Sequence, residues 1–439
     1  MKKIITLLTL ATLSLLAVET RYNLILSEDN ITLSYTTDTN ACRIYLYGDT
    51  LQPLLGYTSD EGKGLLGFEK YITPHFEKYS GVKLNINLAL QQRVEKILDD
   101  YKHELKADEI IVGVMESATG KLRVAASSNR YNPHTATEED IPNLFQKFSA
   151  YRYEPGAVMM PIVIAAALQR GLVEPHTIIA TNGGRLEFEN GRFVTDTIKN
   201  DLLTLDGILT NYSNVGIAKI AYRFSGYEFR ESLEKFGLHQ ACYVELMHNH
   251  KGFLQSAETF EQGRYRANTA YGYGMLASFT QLMRAYSTFN NRGVRVTPRL
   301  VHSLLKGKTE VPAEPLDASV KAVRQNVADR VHEMLVTNVH QGFAKQAQIA
   351  GLETGGMGST AYIAKDGHYV KEYHSSFYGF ANDADGHTYT IGVLVIRPRD
   401  PQKFYASRSA VPVFKTVVTA MVEQNFLTLQ EVSCATSLK

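Results

Sequence analysis

The spacing of hydrophobic and polar positions changes several times along the chain, and each change predicts an element. From Arg21 to about Ser80 the pattern is mixed, with short β-prone runs at Ile31–Tyr35 and Cys42–Tyr47 broken by Asp, Asn and Gly. Too little apolar sequence accumulates there for an independent core. Alternation in Val82–Leu90 predicts a strand running into a helix over Gln91–Leu105, with Val94, Ile97, Leu98 and Tyr101 on one face, and a new domain opens here. Glu109–Met115 and Lys121–Ala126, parted by the turn-forming Ser117-Ala118-Thr119-Gly120, predict a hairpin. After a polar loop, Tyr153-Glu154-Pro155-Gly156 punctuates the chain before a run that is apolar on every face up to Leu168. Such a helix belongs in the middle of a domain. Pro161 falls in its first turns, where a missing N–H costs least. Ser376–Ala381, Tyr389–Ile396 and the apolar stretch Val413–Val422 predict strand, strand and helix, so the fold class is α/β: a sheet with helices stacked on it, assembled from both ends of one domain.

The N-terminus adds a destination. Lys2 and Lys3 precede an uncharged run from Ile4 to Val18, the layout of a secretory signal. The run is shorter than the roughly 20 residues of a bilayer span, and a cleaved signal and a retained membrane anchor through residues 4–18 both stay open, ahead of an unrelated buried helix. Either one exports the chain and places the rest in the periplasm or on the outer face of the cytoplasmic membrane. Lys and Arg number 46 against 45 Asp and Glu, so a net charge of +1 supplies no basic field for a phosphate backbone and excludes nucleic acid as a partner. Cys42, Cys242 and Cys434 are too few and too scattered for a disulfide framework. His248-Asn249-His250 has no further ligand at metal spacing, and the glycines of Tyr271–Gly274 lack the ending of a phosphate loop, so no metal and no cofactor are expected.

Several pieces in fixed order resemble the transpeptidase domain of class B penicillin-binding proteins, from about Cys42 to Val422. They are Arg43-Ile44-Tyr45 with Leu54-Leu55-Gly56-Tyr57 and Gly64-Leu65-Leu66-Gly67-Phe68-Glu69; Leu84-Asn85-Ile86-Asn87 with Gln91; and Tyr153-Glu154-Pro155-Gly156. Asn214-Val215-Gly216, Tyr271-Gly272-Tyr273-Gly274, Gln281, Ala285-Tyr286 and Asn291-Arg292-Gly293 follow, and then Ser376–Ala381 and Ala410–Phe414. The resemblance implies a sheet sandwiched by helices, as in the serine β-lactamases, with a short N-terminal pedestal remnant. It divides the chain into a signal or anchor (1–18), the pedestal remnant (19–81), a transpeptidase-like domain (82–430) and a tail (431–439).

The family attacks a D-alanyl peptide bond with the serine of S-x-x-K, supported by S-x-N and K-T-G. Three-residue spacing on a helix lets the lysine amine take the serine proton. Here the expected serine falls on Ala157 and the expected lysine on Met160. A methyl group is no nucleophile, and a thioether is no base near neutral pH. The second motif reads Tyr212-Ser213-Asn214, and the third is read as Glu353-Thr354-Gly355-Gly356. A glutamate in place of the third-motif lysine repels the substrate carboxylate, by about 4 kcal/mol for a pair at ~4 Å and an effective dielectric of ~20.

No intact catalytic residue is therefore expected at Ala157, Met160, Tyr212 or Glu353. Ser213, Asn214, Thr354 and Gly355 are the candidates for binding a peptide backbone. A second reading gives Ser213 and Asn214 the cap of a helix over Val215–Phe224. The resemblance implies peptidoglycan stem peptides or cell-wall synthesis proteins as partners, and the substitutions imply a catalytically impaired binding or scaffold subunit. Two rivals are a working serine D,D-transpeptidase or carboxypeptidase using another nucleophile, Ser213 or Ser359, and a sensor of cell-wall peptides.

Overall fold

The computed structural model describes residues 21–37, 42–188 and 191–430; the expected signal or anchor, the tail and Cys434 lie outside them. Among the described residues no helix is long and apolar enough to cross a membrane.

A five-stranded antiparallel sheet organises the larger part of the chain. Its order is Glu353–Lys365, His368–Asn382, Thr388–Ile396, Glu109–Glu116 and Leu122–Ser127, so strands from the C-terminal end flank the hairpin expected near residue 110. Strand residues alternate between faces, and here both faces are covered. Ile110, Val112, Val393 and Phe377 pack with the helices Leu88–Leu105 and Ala410–Glu423 through Leu90, Val94, Leu98, Phe414 and Val417. Ile111, Met115, Tyr378 and Leu394 face a second core that holds the helices Met160–Arg170, Phe279–Ser287 and Gln325–Gln341. Helix, sheet, helix is the layering implied by the resemblance. Paired glycines bring the inner helix close: Gly113 lies opposite Gly392, and a Cβ on them would come within 2.5 Å of Met283 Sδ and 2.9 Å of Phe279 Cζ.

Two boundaries differ from the sequence reading. The strand expected over Val82–Leu90 stops at Leu84, and the helix starts at Leu88, because the Asn87 side chain accepts the Leu90 N–H at 3.0 Å and caps it. The N-terminal strands Arg21–Leu26, Thr32–Thr37 and Ile44–Tyr45 are not a separate layer. They join Gly81–Leu84, Val301–Lys306 and Thr309–Pro312 in one six-stranded sheet, so the division placed between residues 81 and 82 runs through a sheet. Its inner side is closed by a buried ion pair: Arg43 Nε donates to Glu69 Oε1 at 2.7 Å, with the side chains 3% and 0% exposed. Two of the resembling pieces therefore meet in space.

Candidate active site

The turn Tyr153–Gly156 is built before the helix it introduces. Tyr153 is buried, and its hydroxyl lies 2.6 Å from that of Tyr378 on the central sheet. Gly156 adopts φ +65°, a region that costs a side chain about 1–2 kcal/mol, and its N–H donates to Gly272 O at 3.1 Å. A Cβ at Gly272 would sit 2.1 Å from Gly156 O, so the Tyr-Gly-Tyr-Gly segment is a close backbone contact under the turn. The chain then makes a 3-10 turn, Gly156–Met159, and enters the helix Met160–Arg170, whose first nine residues are buried.

Ala157 is half-buried at this entrance, and Met160 is fully buried in the inner core. The Ala157 N–H donates to Ser359 Oγ at 3.0 Å. A backbone N–H at a helix start is the donor that would stabilise an oxyanion; here a neighbouring hydroxyl takes it. Ser359 is 3% exposed and its hydroxyl makes no other hydrogen bond among the described residues, so no amine, imidazole or carboxylate is bonded to it there to accept its proton.

Tyr212 closes the cleft from the opposite wall. Its backbone has φ +53°, its ring stands edge-on to Phe343 with centroids 5.4 Å apart, and its hydroxyl accepts the Gly358 N–H at 3.1 Å. Burial pushes its pKa up, so the phenol stays neutral. Ser213 is the N-cap of the helix Asn214–Ala221: Oγ accepts the Gly216 N–H at 2.8 Å and donates to Asp196, whose other oxygen accepts the Val215 N–H at 2.9 Å. With no exposed surface, Ser213 is a cap and is closed to substrate. The Asn214 side chain is half-buried and makes no hydrogen bond among the described residues, leaving it the one polar group of the second motif free for a ligand.

The third motif requires a correction. Glu353, Thr354 and Gly355 lie at the far end of their strand, six to four residues from Ser359, or roughly 20 to 13 Å at ~3.3 Å per residue. Glu353 is held by His332 Nε2 at 2.8 Å and Asn382 Nδ2 at 2.9 Å, and the His332 contact keeps its carboxyl below the usual range. Thr354 is buried, and a Cβ on Gly355 would be 2.3 Å from Phe380 Cζ; both pack against the sheet and neither reaches the cleft. The residues standing beside Ala157 and Tyr212 are Gly358 and Ser359, and Asn338 Nδ2 holds the preceding segment by Gly356 O at 2.8 Å. At that distance Glu353 does not repel a substrate carboxylate in the cleft. A lysine is still missing, since Gly356-Met357-Gly358-Ser359 carries no charge.

Elsewhere, the loop at His248–His250 is organised by Asn249, whose side chain bonds Val244 O and Leu246 O at 2.9 and 2.7 Å. Cys42 Sγ lies 3.7 Å from Asp60 O, and Cys242 is buried.

The sequence profile described as the penicillin binding protein transpeptidase domain matches residues 110–419. The chain is 26% identical over 410 residues to the peptidoglycan D,D-transpeptidase FtsI of Buchnera aphidicola subsp. Schizaphis graminum, covering 87% of this chain and 69% of that protein. It is 26% identical over 407 residues to FtsI of Escherichia coli K12, covering 86% and 66%. In three dimensions it matches penicillin binding protein 3 from Mycobacterium tuberculosis with a TM-score of 0.84 at 23% identity, over 94% of this chain and 98% of that one. The match over most of the central sheet and its helices, with the ordered pieces quoted above, makes this chain a member of the penicillin-binding protein transpeptidase family, of class B.

Proposed function

We propose that this protein serves peptidoglycan assembly outside the cytoplasm without acylating its ligand, as a noncovalent stem-peptide binder or scaffold for the synthesis machinery. One observation carries the reading: a methyl group and a buried thioether, Ala157 and Met160, stand where the family needs nucleophile and base. The Ser359 hydroxyl on the Ala157 N–H supports it, because an incoming carbonyl oxygen would have to displace that bond. The relatives named FtsI support the cell-wall setting, and the Lys2–Val18 pattern supports export.

The test is labelling with a fluorescent penicillin followed by mass spectrometry of the intact protein. No covalent adduct is expected at concentrations that saturate a catalytic relative. A stoichiometric adduct mapping to Ser359, the one serine hydroxyl bonded to Ala157, would replace this reading with that of a working acyl enzyme. Export is checked by fusing the chain to a reporter active only outside the cytoplasm; a silent fusion counts against it.

A further inference from the structure

The helix Met160–Arg170 runs away from the candidate active site, and where it ends the surface opens into a second cavity, of about 360 Å³. Arg170 lies thirteen residues beyond Ala157, or about 20 Å at ~1.5 Å per residue, so the two places are separate. The cavity is walled by the end of this helix, the end of the helix Gly226–Lys235 and the short strand Val320–Lys321, which pairs with Val294–Arg295. Phe236 and Val323, 1% and 2% exposed, form an apolar floor. Arg170, Lys235 and Lys321 line the sides with one carboxylate, Glu231.

The cations are of two kinds. Arg170 is held in place: Nε donates to the buried Ser232 Oγ at 2.8 Å and Nη2 to Glu231 at 2.5 Å, with Glu228 3.7 Å from Nη1. Lys235 and Lys321 are exposed, and their amines make no ion pair or hydrogen bond among the described residues. Arg324 follows the floor residue Val323; its guanidinium bonds only Gln169 O, at 3.4 Å, and has no carboxylate partner. A cation in the last turn of a helix offsets the dipole, which accounts for Arg170 and Lys235. Arg324 does the opposite. It is the N-cap of the helix Gln325–Gln341, which has no side-chain cap and no acidic residue in its first turn, so the positive end of a dipole and a guanidinium sit together. Such an end with free N–H groups favours an anion.

Counting all the charges gives the ligand's charge. Arg170, Lys235, Lys321 and Arg324 face Glu228 and Glu231, which leaves two positive charges unanswered. A carboxylate would answer one of them. A phosphate monoester carries nearly two at neutral pH, with three acceptor oxygens for donors on separate elements. A bare ion would leave the apolar floor uncovered in a cavity of this size, whereas an ester brings an organic body to it. We propose that this cavity binds an organic phosphate monoester, its phosphate held by Lys235, Lys321 and the start of the helix Gln325–Gln341 and its organic body on Phe236 and Val323. The site does not depend on the peptide-binding reading.

The probes are phenyl phosphate, inorganic phosphate and phenol, titrated by calorimetry into the full-length chain at low salt and pH 7.5. Phenyl phosphate is expected to bind at least about tenfold more tightly than either half, the equivalent of ~1.4 kcal/mol, and to weaken as salt is added. The double variant Lys235→Gln with Lys321→Gln is expected to lose at least about tenfold at an unchanged melting temperature, since both side chains are exposed. Should it lose stability, Lys321→Gln alone, away from any helix end, is expected to lose at least about threefold. Lys96→Gln, an exposed lysine on the helix Leu88–Leu105, is expected to change nothing. Sedimentation with phosphatidylcholine vesicles, with and without phosphatidic acid, identifies the source. Extra binding to phosphatidic acid that the double variant lacks assigns a lipid headgroup; phenyl phosphate binding without it assigns a soluble ester. No binding of phenyl phosphate at millimolar concentration, inorganic phosphate binding as tightly, or an equal loss in Lys96→Gln overturns the proposal.

Discussion

Replacing Gly156 by alanine tests the contact between the turn and the strand that defines the candidate site. An alanine there must hold φ +65°, at about 1 kcal/mol, and its Cβ arrives 2.1 Å from Ser359 Oγ and 3.1 Å from Ala361 Cβ. Ser359 is the softer neighbour and has to turn away, which breaks its bond to the Ala157 N–H and leaves that donor unpaired, for about 1–3 kcal/mol more. Ser359→Ala alone removes the same bond at a similar cost. The double variant therefore loses it once, and the Ser359 Cβ, 3.5 Å from the new methyl, is in ordinary contact. A double-mutant cycle from urea midpoints at constant m value is expected to give a coupling of about 1–3 kcal/mol, with the pair less destabilised than the sum. Gly171→Ala is the control: its φ is +71° with nothing within 4 Å of the added methyl, so it costs about 1 kcal/mol and does not couple to position 359. Additivity of Gly156→Ala and Ser359→Ala within about 0.5 kcal/mol would refute the placement of Ser359 beside the turn.

Met160→Lys puts an amine at a position with no exposure and is expected to cost about 3–5 kcal/mol, with Ala157→Ser and Tyr212→Ser added to it recovering part by supplying hydroxyl partners; a single variant melting as high as the parent refutes this. Tyr212→Phe keeps the ring against Phe343 but strands the Gly358 N–H, so a loss of about 1–2 kcal/mol and faster exchange of that amide are expected. Glu95 accepts the Leu51 N–H and a Gln91 N–H, and burial raises its pKa from 4.5 to about 7. Because the folded form binds the proton more tightly, this group's contribution falls as pH rises from about 4.5 to 7, by roughly 3 kcal/mol in all. Glu95→Gln is expected to remove that slope and to be the more stable protein at pH 8 in paired urea titrations; parallel curves for parent and variant would count against it.

Where a side chain or a special backbone angle fixes the geometry, the sequence was readable. The all-apolar run after Gly156 became a buried helix, Ser213 became a cap, and the 109–126 hairpin took its place in the sheet, each because burial or an orphan N–H demands it. The third motif was not readable for a physical reason. Glu353–Thr360 is rich in glycine and small hydroxyl residues, so the two-residue alternation that sets strand register is nearly silent. Only pairing across the sheet, Gly358 with Phe377 and Ser359 with Ser376, places this segment, and those partners lie on the next strand. Asn338 and Phe343 come to the site from the end of a helix and the loop beyond it, and nothing local marks them. The Asn87 cap was visible in principle as an Asn before an apolar helix, but the alternation of the preceding residues concealed it.

The six-stranded sheet also sets a timetable for biogenesis. Gly81–Leu84 is bordered on one side by Arg21–Leu26, synthesised earlier, and on the other by Val301–Lys306. Asn85 binds Val301 O across 216 positions of chain. At about 5–20 residues per second that border stays bare for about 10–40 s of translation. An apolar strand waiting that long with unpaired N–H and C=O groups is a template for wrong partners. The sheet is therefore complete only once Val301–Lys306 and Thr309–Pro312 have followed, and the early strands cannot be finished as a unit of their own.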